Sequence, residues 1–224
     1  MDTTPIDRDL LVASEALSAD MAALLDGPLY SGDARLRVAA TATDIAILHS
    51  RAVRQLFATR LPVSATVVMR AQFEALLRAC WLLYVAPDTA IAKLDATLDL
   101  DGEQAAKNLA GADDMLQALQ RGRTEQNAVA VDMLAEFKHY HWRALNSFTH
   151  TGLHAIARAA SPGFPVPLAE TAIRHSNGLL LMAGMLRAIL SGQPALIARV
   201  KALQLRYTPF LPPPSKPSAP TTPT

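Results

Sequence analysis

Four of the six histidines fall within residues 139–154, in the run His139-Tyr140-His141-Trp142-Arg143-Ala144-Leu145-Asn146-Ser147-Phe148-Thr149-His150-Thr151-Gly152-Leu153-His154. On a helix, His139, Arg143, Asn146 and His150 stand at i, i+4, i+7 and i+11, one stripe that carries two imidazoles, a guanidinium and an amide. Arg143 and His150 are two turns, or about 10 Å, apart along it, close enough for their side chains to converge on one phosphate. Metal-free RNA cleavage is the chemistry such a pair suits. An imidazole takes the proton from a 2′-hydroxyl or gives one to the leaving 5′-oxygen, while a guanidinium stabilises charge on the phosphorane-like oxygens. Asn146 or Ser147 would orient the sugar or phosphate, and His139 or His154 would supply the opposite half of the acid–base pair.

The same cluster has a metal reading in His139-x-His141 and His150-x-x-x-His154. Two histidines at i, i+4 share a zinc ion when the helix is continuous, but Gly152 is expected to break it between His150 and His154, so no metal is assigned. His49 and His175 stand apart in helical patterns and read as hydrogen-bonded structural residues or surface groups.

The stripe needs a helix, and the chain supplies helices throughout. Apolar residues recur at helical spacing over 6–26, ended by Gly27-Pro28, and over 33–60, ended by Leu61-Pro62. A third helix is expected from Ser64, as N-cap, to Ala86 before Pro87. It is apolar on nearly every side except for Arg70, Glu74 and Arg78 at i, i+4 and i+8. That charged line is either the helix's solvated edge or the wall facing the histidine stripe across a polar cleft. In the second case Glu74 would orient Arg143 or an imidazole, because buried charges require partners.

Residues 88–126 are more polar and read as one or two peripheral helices with loops. Residues 127–151 form the helix that carries the stripe, with the apolar face Val131, Leu134, Phe137, Leu145 and Phe148 and with Gly152 as C-terminal cap. An irregular Pro/Gly-rich connection at 161–167 precedes two further helices, 168–191 and 194–206. From Tyr207 the periodicity stops, and seven of the last eighteen residues are proline. The expectation is an all-α bundle of six to eight helices over 1–206, followed by a disordered proline-rich tail over 207–224.

Composition agrees. Half of the 224 residues are hydrophobic but only 5% are aromatic, which suits helices packed through small side chains. A net charge of +1 argues against nucleic-acid binding over the whole surface and leaves only a local basic site. The longest apolar stretches, 75–86 and 178–186, are too short to span a bilayer, and the N-terminal residues lack a signal-peptide pattern. The single Cys80 has no partner for an internal disulfide, so a cytoplasmic location is expected. No cofactor motif is evident.

The segment Arg143-Ala-Leu-Asn-Ser-Phe-Thr-His150 resembles the HEPN superfamily, α-helical and usually dimeric proteins that often carry Arg followed four to six residues later by His. The Arg-x-x-x-Glu helix upstream, with Leu-Asn-Ser-Phe-Thr-His-Thr-Gly downstream, looks like a group of bacterial HEPN-like proteins. The resemblance implies a homodimer whose Arg/His pairs meet at the subunit interface, RNA or a nucleotide as ligand, and an antitoxin protein as a further partner. It implies a metal-independent endoribonuclease acting as a toxin or phage-defence effector. The alternative is a non-catalytic dimeric scaffold that binds a nucleotide or a protein in the same cleft.

Overall fold

The structure is a computed structural model that describes residues 6–213. Among the described residues ten α-helices run in the order α1 (Arg8–Leu25), α2 (Ala34–Ala58), α3 (Pro62–Tyr84), α4 (Asp88–Leu94), α5 (Leu100–Ala106), α6 (Ala112–Arg121), α7 (Ala128–Thr149), α8 (Leu153–Ala160), α9 (Val166–Leu190) and α10 (Pro194–Arg206). The count exceeds the expected six to eight because the polar stretch 88–106 and the segment after Gly152 fold into short helices of seven or eight residues. At seven or eight residues each is too short to be stable alone and depends on tertiary packing.

Helix α3 is the hub. Phe73, Leu76, Leu77, Ala79 and Leu82 are wholly removed from solvent, and Trp81 and Cys80 nearly so. The helix is packed by α2 on one side, α9 on another and α6 and α7 on a third. Ala39, Ala40, Ala42 and Ala46 line the buried face of α2, and such small residues let two backbones approach closely. A second cluster joins Leu17, Met21 and Leu24 of α1 to Leu180, Leu181 and Ala188 of α9 and Val200 of α10.

The turn between α2 and α3 shows how local chemistry sets helix ends. Arg60 adopts a left-handed φ of 62°, and the Arg60 and Leu61 amides donate to the carbonyls of Phe57 and Leu56. This is a Schellman closure with arginine where glycine is usual. Pro62 then opens α3 two residues ahead of Ser64, its fixed φ and missing N–H suiting the first helical position.

At the opposite end of α3, the Arg35 guanidinium on α2 donates to the carbonyls of Leu82 (2.7 Å) and Ala86 (2.9 Å) and to Asp88 (2.7 Å). It thereby satisfies carbonyls that a helix C-terminus leaves open. Arg35→Ala is expected to cost about 1–3 kcal/mol, read as a fall in the urea midpoint with an unchanged slope.

The first seven residues of the expected tail are folded. Residues 207–213 belong to the folded domain: Thr208–Phe210 forms a 3-10 turn, Tyr207 is buried and donates to Asp20 (2.7 Å), and the Phe210 carbonyl accepts from Asn177 (3.0 Å). Pro209 is the second residue of that turn, where a missing N–H costs no helical bond, so proline content does not exclude the turn. The rest of the expected tail, 214–224, lies outside the described residues. Among the described residues no helix is long and apolar enough to cross a membrane.

Candidate functional site

The stripe on α7 is real as a helical feature, and its groups divide into two sets. Val131, Leu134, Phe137, Leu145 and Phe148 face the core, as expected. His139, Arg143 and His150 are exposed, and Asn146 is half-buried beside them. Arg143 makes no hydrogen bond or ion pair with another described residue. His139 rests edge-on against the Tyr140 ring, and the His154 ring lies alongside Phe148. His139 and His154 are therefore not gathered around His150.

The charged line of α3 is partly buried, Arg70 more than Glu74. Arg70 lies largely buried between α3 and α7, with one Nη donating to Glu74 (2.9 Å) and the other 3.3 Å from Nε2 of His150. Its guanidinium stacks on Trp142, 4.8 Å from the ring centroid. Arginine has no acceptor, so Nε2 accepts in this contact and the proton of a neutral His150 ring sits on Nδ1. Glu74, expected to orient Arg143 or an imidazole directly, orients Arg70, and Arg70 reaches the imidazole. Arg78 points instead at the loop before α6, donating to the Ala110 carbonyl (3.3 Å). Burial lowers the Arg78 pKa, opposed by the charge of Glu74.

Two buried polar atoms here have no protein partner: Nε of Arg70 and Oδ1 of Asn146. Buried polar groups are normally satisfied, so this layer between α3 and α7 has unused hydrogen-bonding capacity. Lys138 stands over Trp142 at 5.2 Å and pairs with Asp113 of α6. Trp142 and Lys138 were not legible as site residues. Their signal was the i+4 ridge Lys138, Trp142, Asn146, His150, which runs beside the stripe and faces α3 more directly.

Ser147 has a different task from the one expected. Its hydroxyl accepts from the His154 amide (2.9 Å) and so caps the start of α8. Gly152 also differs. It is the N-cap of α8, while the left-handed position is Thr151, at φ 52°. The Gly152 and Thr151 amides donate to the carbonyls of Ser147 and Phe148, closing α7 in a second Schellman turn. A Cβ on Gly152 would come within 2.8 Å of the Ser147 hydroxyl, which explains glycine there. A β-branched residue is strained in the left-handed region, so Thr151→Gly is expected to raise stability by about 0.5–1 kcal/mol in urea unfolding.

The sequence reading left a second imidazole pair unconnected. His141 of α7 and His175 of α9 meet with ring centroids 4.3 Å apart, beside the Phe137 ring. His175 Nδ1 bonds to the Thr171 carbonyl (2.8 Å), in keeping with the structural role expected of it. Burial pushes the His141 pKa down to about 4, with His175 adding to the fall, and burial lowers His175 as well.

Arg143 and His150 face solvent, whereas Asn146 and Arg70 beside them are partly or largely buried. Two grooves of about 360 and 300 Å³ flank α1, and none of the α7 residues lines either of them. Among the described residues, no group of three or more His, Cys, Asp or Glu side chains is placed to hold a metal ion.

Fold and site together define an all-α protein with an arginine-braced imidazole on the outer face of its seventh helix. Residues 43–213 match the model of a family of unknown function, DUF6988, and the chain belongs to that family. The match covers the hub, the site and the docked C-terminal turn. No curated protein and no solved structure matches the chain.

Proposed function

We propose that this protein is a HEPN-like, metal-independent endoribonuclease that works in the cytoplasm as a toxin or phage-defence effector. The observation that carries the reading is the contact between Arg70 and Nε2 of His150 at 3.3 Å, with Arg70 itself braced by Glu74 and Trp142. An exposed imidazole is thereby set against a guanidinium whose orientation is fixed. A phosphate entering this space would draw the Arg70 N–H to its own oxygens and release the Nε2 lone pair. His150 would then take the 2′-hydroxyl proton as the 2′-oxygen bonds to phosphorus. The bond to the 5′-oxygen breaks, and that oxygen leaves with a proton, giving a 2′,3′-cyclic phosphate and a 5′-hydroxyl. Arg70 and Arg143 would stabilise the intervening negative charge, and Asn146 would orient the sugar or phosphate.

The homodimer belongs to the same reading. Val129, Met133 and Tyr140 of α7 and Leu153 and Ile156 of α8 are large apolar side chains left 42–80% exposed, and they flank Arg143 and His150. A second copy laid on this face would bury them and supply the second acid–base group that a single chain does not gather around His150.

The non-catalytic alternative, a dimeric scaffold binding a nucleotide or protein, is favoured by one observation: Arg143 is exposed and meets none of the other site groups. Controlled expression separates the two. The nuclease reading expects growth arrest that His150→Ala or Arg143→Ala relieves while each variant stays folded and abundant. Absence of arrest and of RNA cleavage by the dimeric protein would favour the scaffold, and equal arrest by the folded variants would remove the site assignment.

A further inference from the structure

We propose that His141 and His175 form an acid-sensitive latch that holds α7 against α9, closed while both imidazoles are neutral and released when both are charged. The two rings sit at the junction of elements whose main packing lies elsewhere: α7 rests chiefly on α3, α6 and α8, and α9 on α1, α2, α3 and α10. The ring contacts that join α7 to α9 are the His141–His175 pair at 4.3 Å and the edge of His175 on Phe137 at 6.3 Å.

The surroundings favour the neutral rings. The Phe137 ring lies 4.7 Å from His141 and is itself stacked on Phe73 of α3, so that side of the latch is hydrocarbon. Several charged groups of α3, α6 and α9 are committed elsewhere. On α3, Arg70 and Glu74 pair with each other, and Arg78 is turned to Ala110. On α6, Asp113 pairs with Lys138 of α7. On α9, Arg174 donates to the Pro209 carbonyl and Glu170 accepts from the Asp7 amide. Glu136 alone acts on both imidazoles in the charged direction, and burial outweighs it. Two cations at this separation in a part-buried site repel each other by several times thermal energy.

Both pKa values lie below the ordinary 6.5, so the open or unfolded state binds more protons than the closed one. The latch is therefore fully engaged above about pH 6.5 and weakens as pH falls through the interval down to about 4. Its consequence for the site rests on the nuclease reading: His141 adjoins Trp142, and Trp142 braces the Arg70 that meets His150. The latch itself does not depend on that reading.

Amide hydrogen exchange on the full-length protein, corrected for intrinsic rates, at about pH 7.5 and about pH 5 tests it, since pH 5 lies above the ordinary carboxylate range. We expect α7 amides to lose protection by about tenfold or more at the lower pH while α1 and α10 keep theirs. His175→Gln, which removes one of the two charges, should recover part of the α7 protection lost at the lower pH, the rest of the loss following from the burial of His141. Imidazole titration by NMR in the unaltered chain should place His141 near 4. An equal loss across all helices, no loss in α7, or a His141 midpoint near 6.5 would each overturn the latch. A latch that behaves as expected in a protein without RNA cleavage would stand while the nuclease reading fell.

Discussion

His150→Ala is expected to reduce RNA cleavage by roughly 10²–10⁴-fold while shifting the unfolding free energy by no more than about 0.5 kcal/mol. The separation of the two effects follows from the geometry. The His150 ring is exposed at the C-cap of α7, and the backbone bond that closes the helix there, from the His150 amide to the Asn146 carbonyl, does not involve it. Arg70 would lose one contact and keep Glu74 and Trp142, so no buried cation is stranded. Parallel kinetics and urea unfolding provide the check. Unchanged cleavage with unchanged stability would show that the imidazole is not the base.

The second large effect is structural. Phe73 is fully buried on α3, stacked on Phe137 at 4.8 Å and set edge-on to Trp142 at 6.0 Å. Phe73→Ala is expected to cost about 3–5 kcal/mol, because it opens a cavity under two aromatic rings as well as removing apolar contact. Both rings belong to α7, so the helix carrying the site would loosen first. Urea unfolding measures the total, and near-ultraviolet circular dichroism should report the loss of fixed aromatic packing before helix content falls. A cost below about 1 kcal/mol would mean that α7 is held by something other than this stack.

Much of the frame was legible because amphipathic periodicity is a property of one segment at a time. The long helices α1, α2, α3, α7, α9 and α10 lie within a few residues of their expected bounds. Residues 88–126, expected as one or two helices, hold three, and α8 was not anticipated beyond Gly152, because seven or eight residues are too few to set a helix apart from a loop; the seven residues after Arg206 escaped because proline content hid a docked 3-10 turn. The same limit applied at the site. The stripe from His139 to His150 could be drawn on one helix, but which member meets another helix is decided by packing. Arg70, read as part of a line with two possible settings, is the cation that reaches His150, while Arg143, the guanidinium of the motif, faces solvent. Ser147 and Gly152 were assigned chemistry or capping from identity alone, whereas their roles at the α7–α8 corner depend on where α8 begins. The pairing of His141 with His175 joins residues 34 positions apart and left no trace in local spacing.

Incubation of the purified protein with end-labelled RNA in excess EDTA, with the product ends analysed, bears most directly on the whole reading. The account predicts cleavage that persists in the chelator, leaves 2′,3′-cyclic phosphate and 5′-hydroxyl ends, and disappears in His150→Ala. Intact RNA at every protein concentration, or cleavage that needs a divalent ion and leaves 5′-phosphate ends, would contradict it.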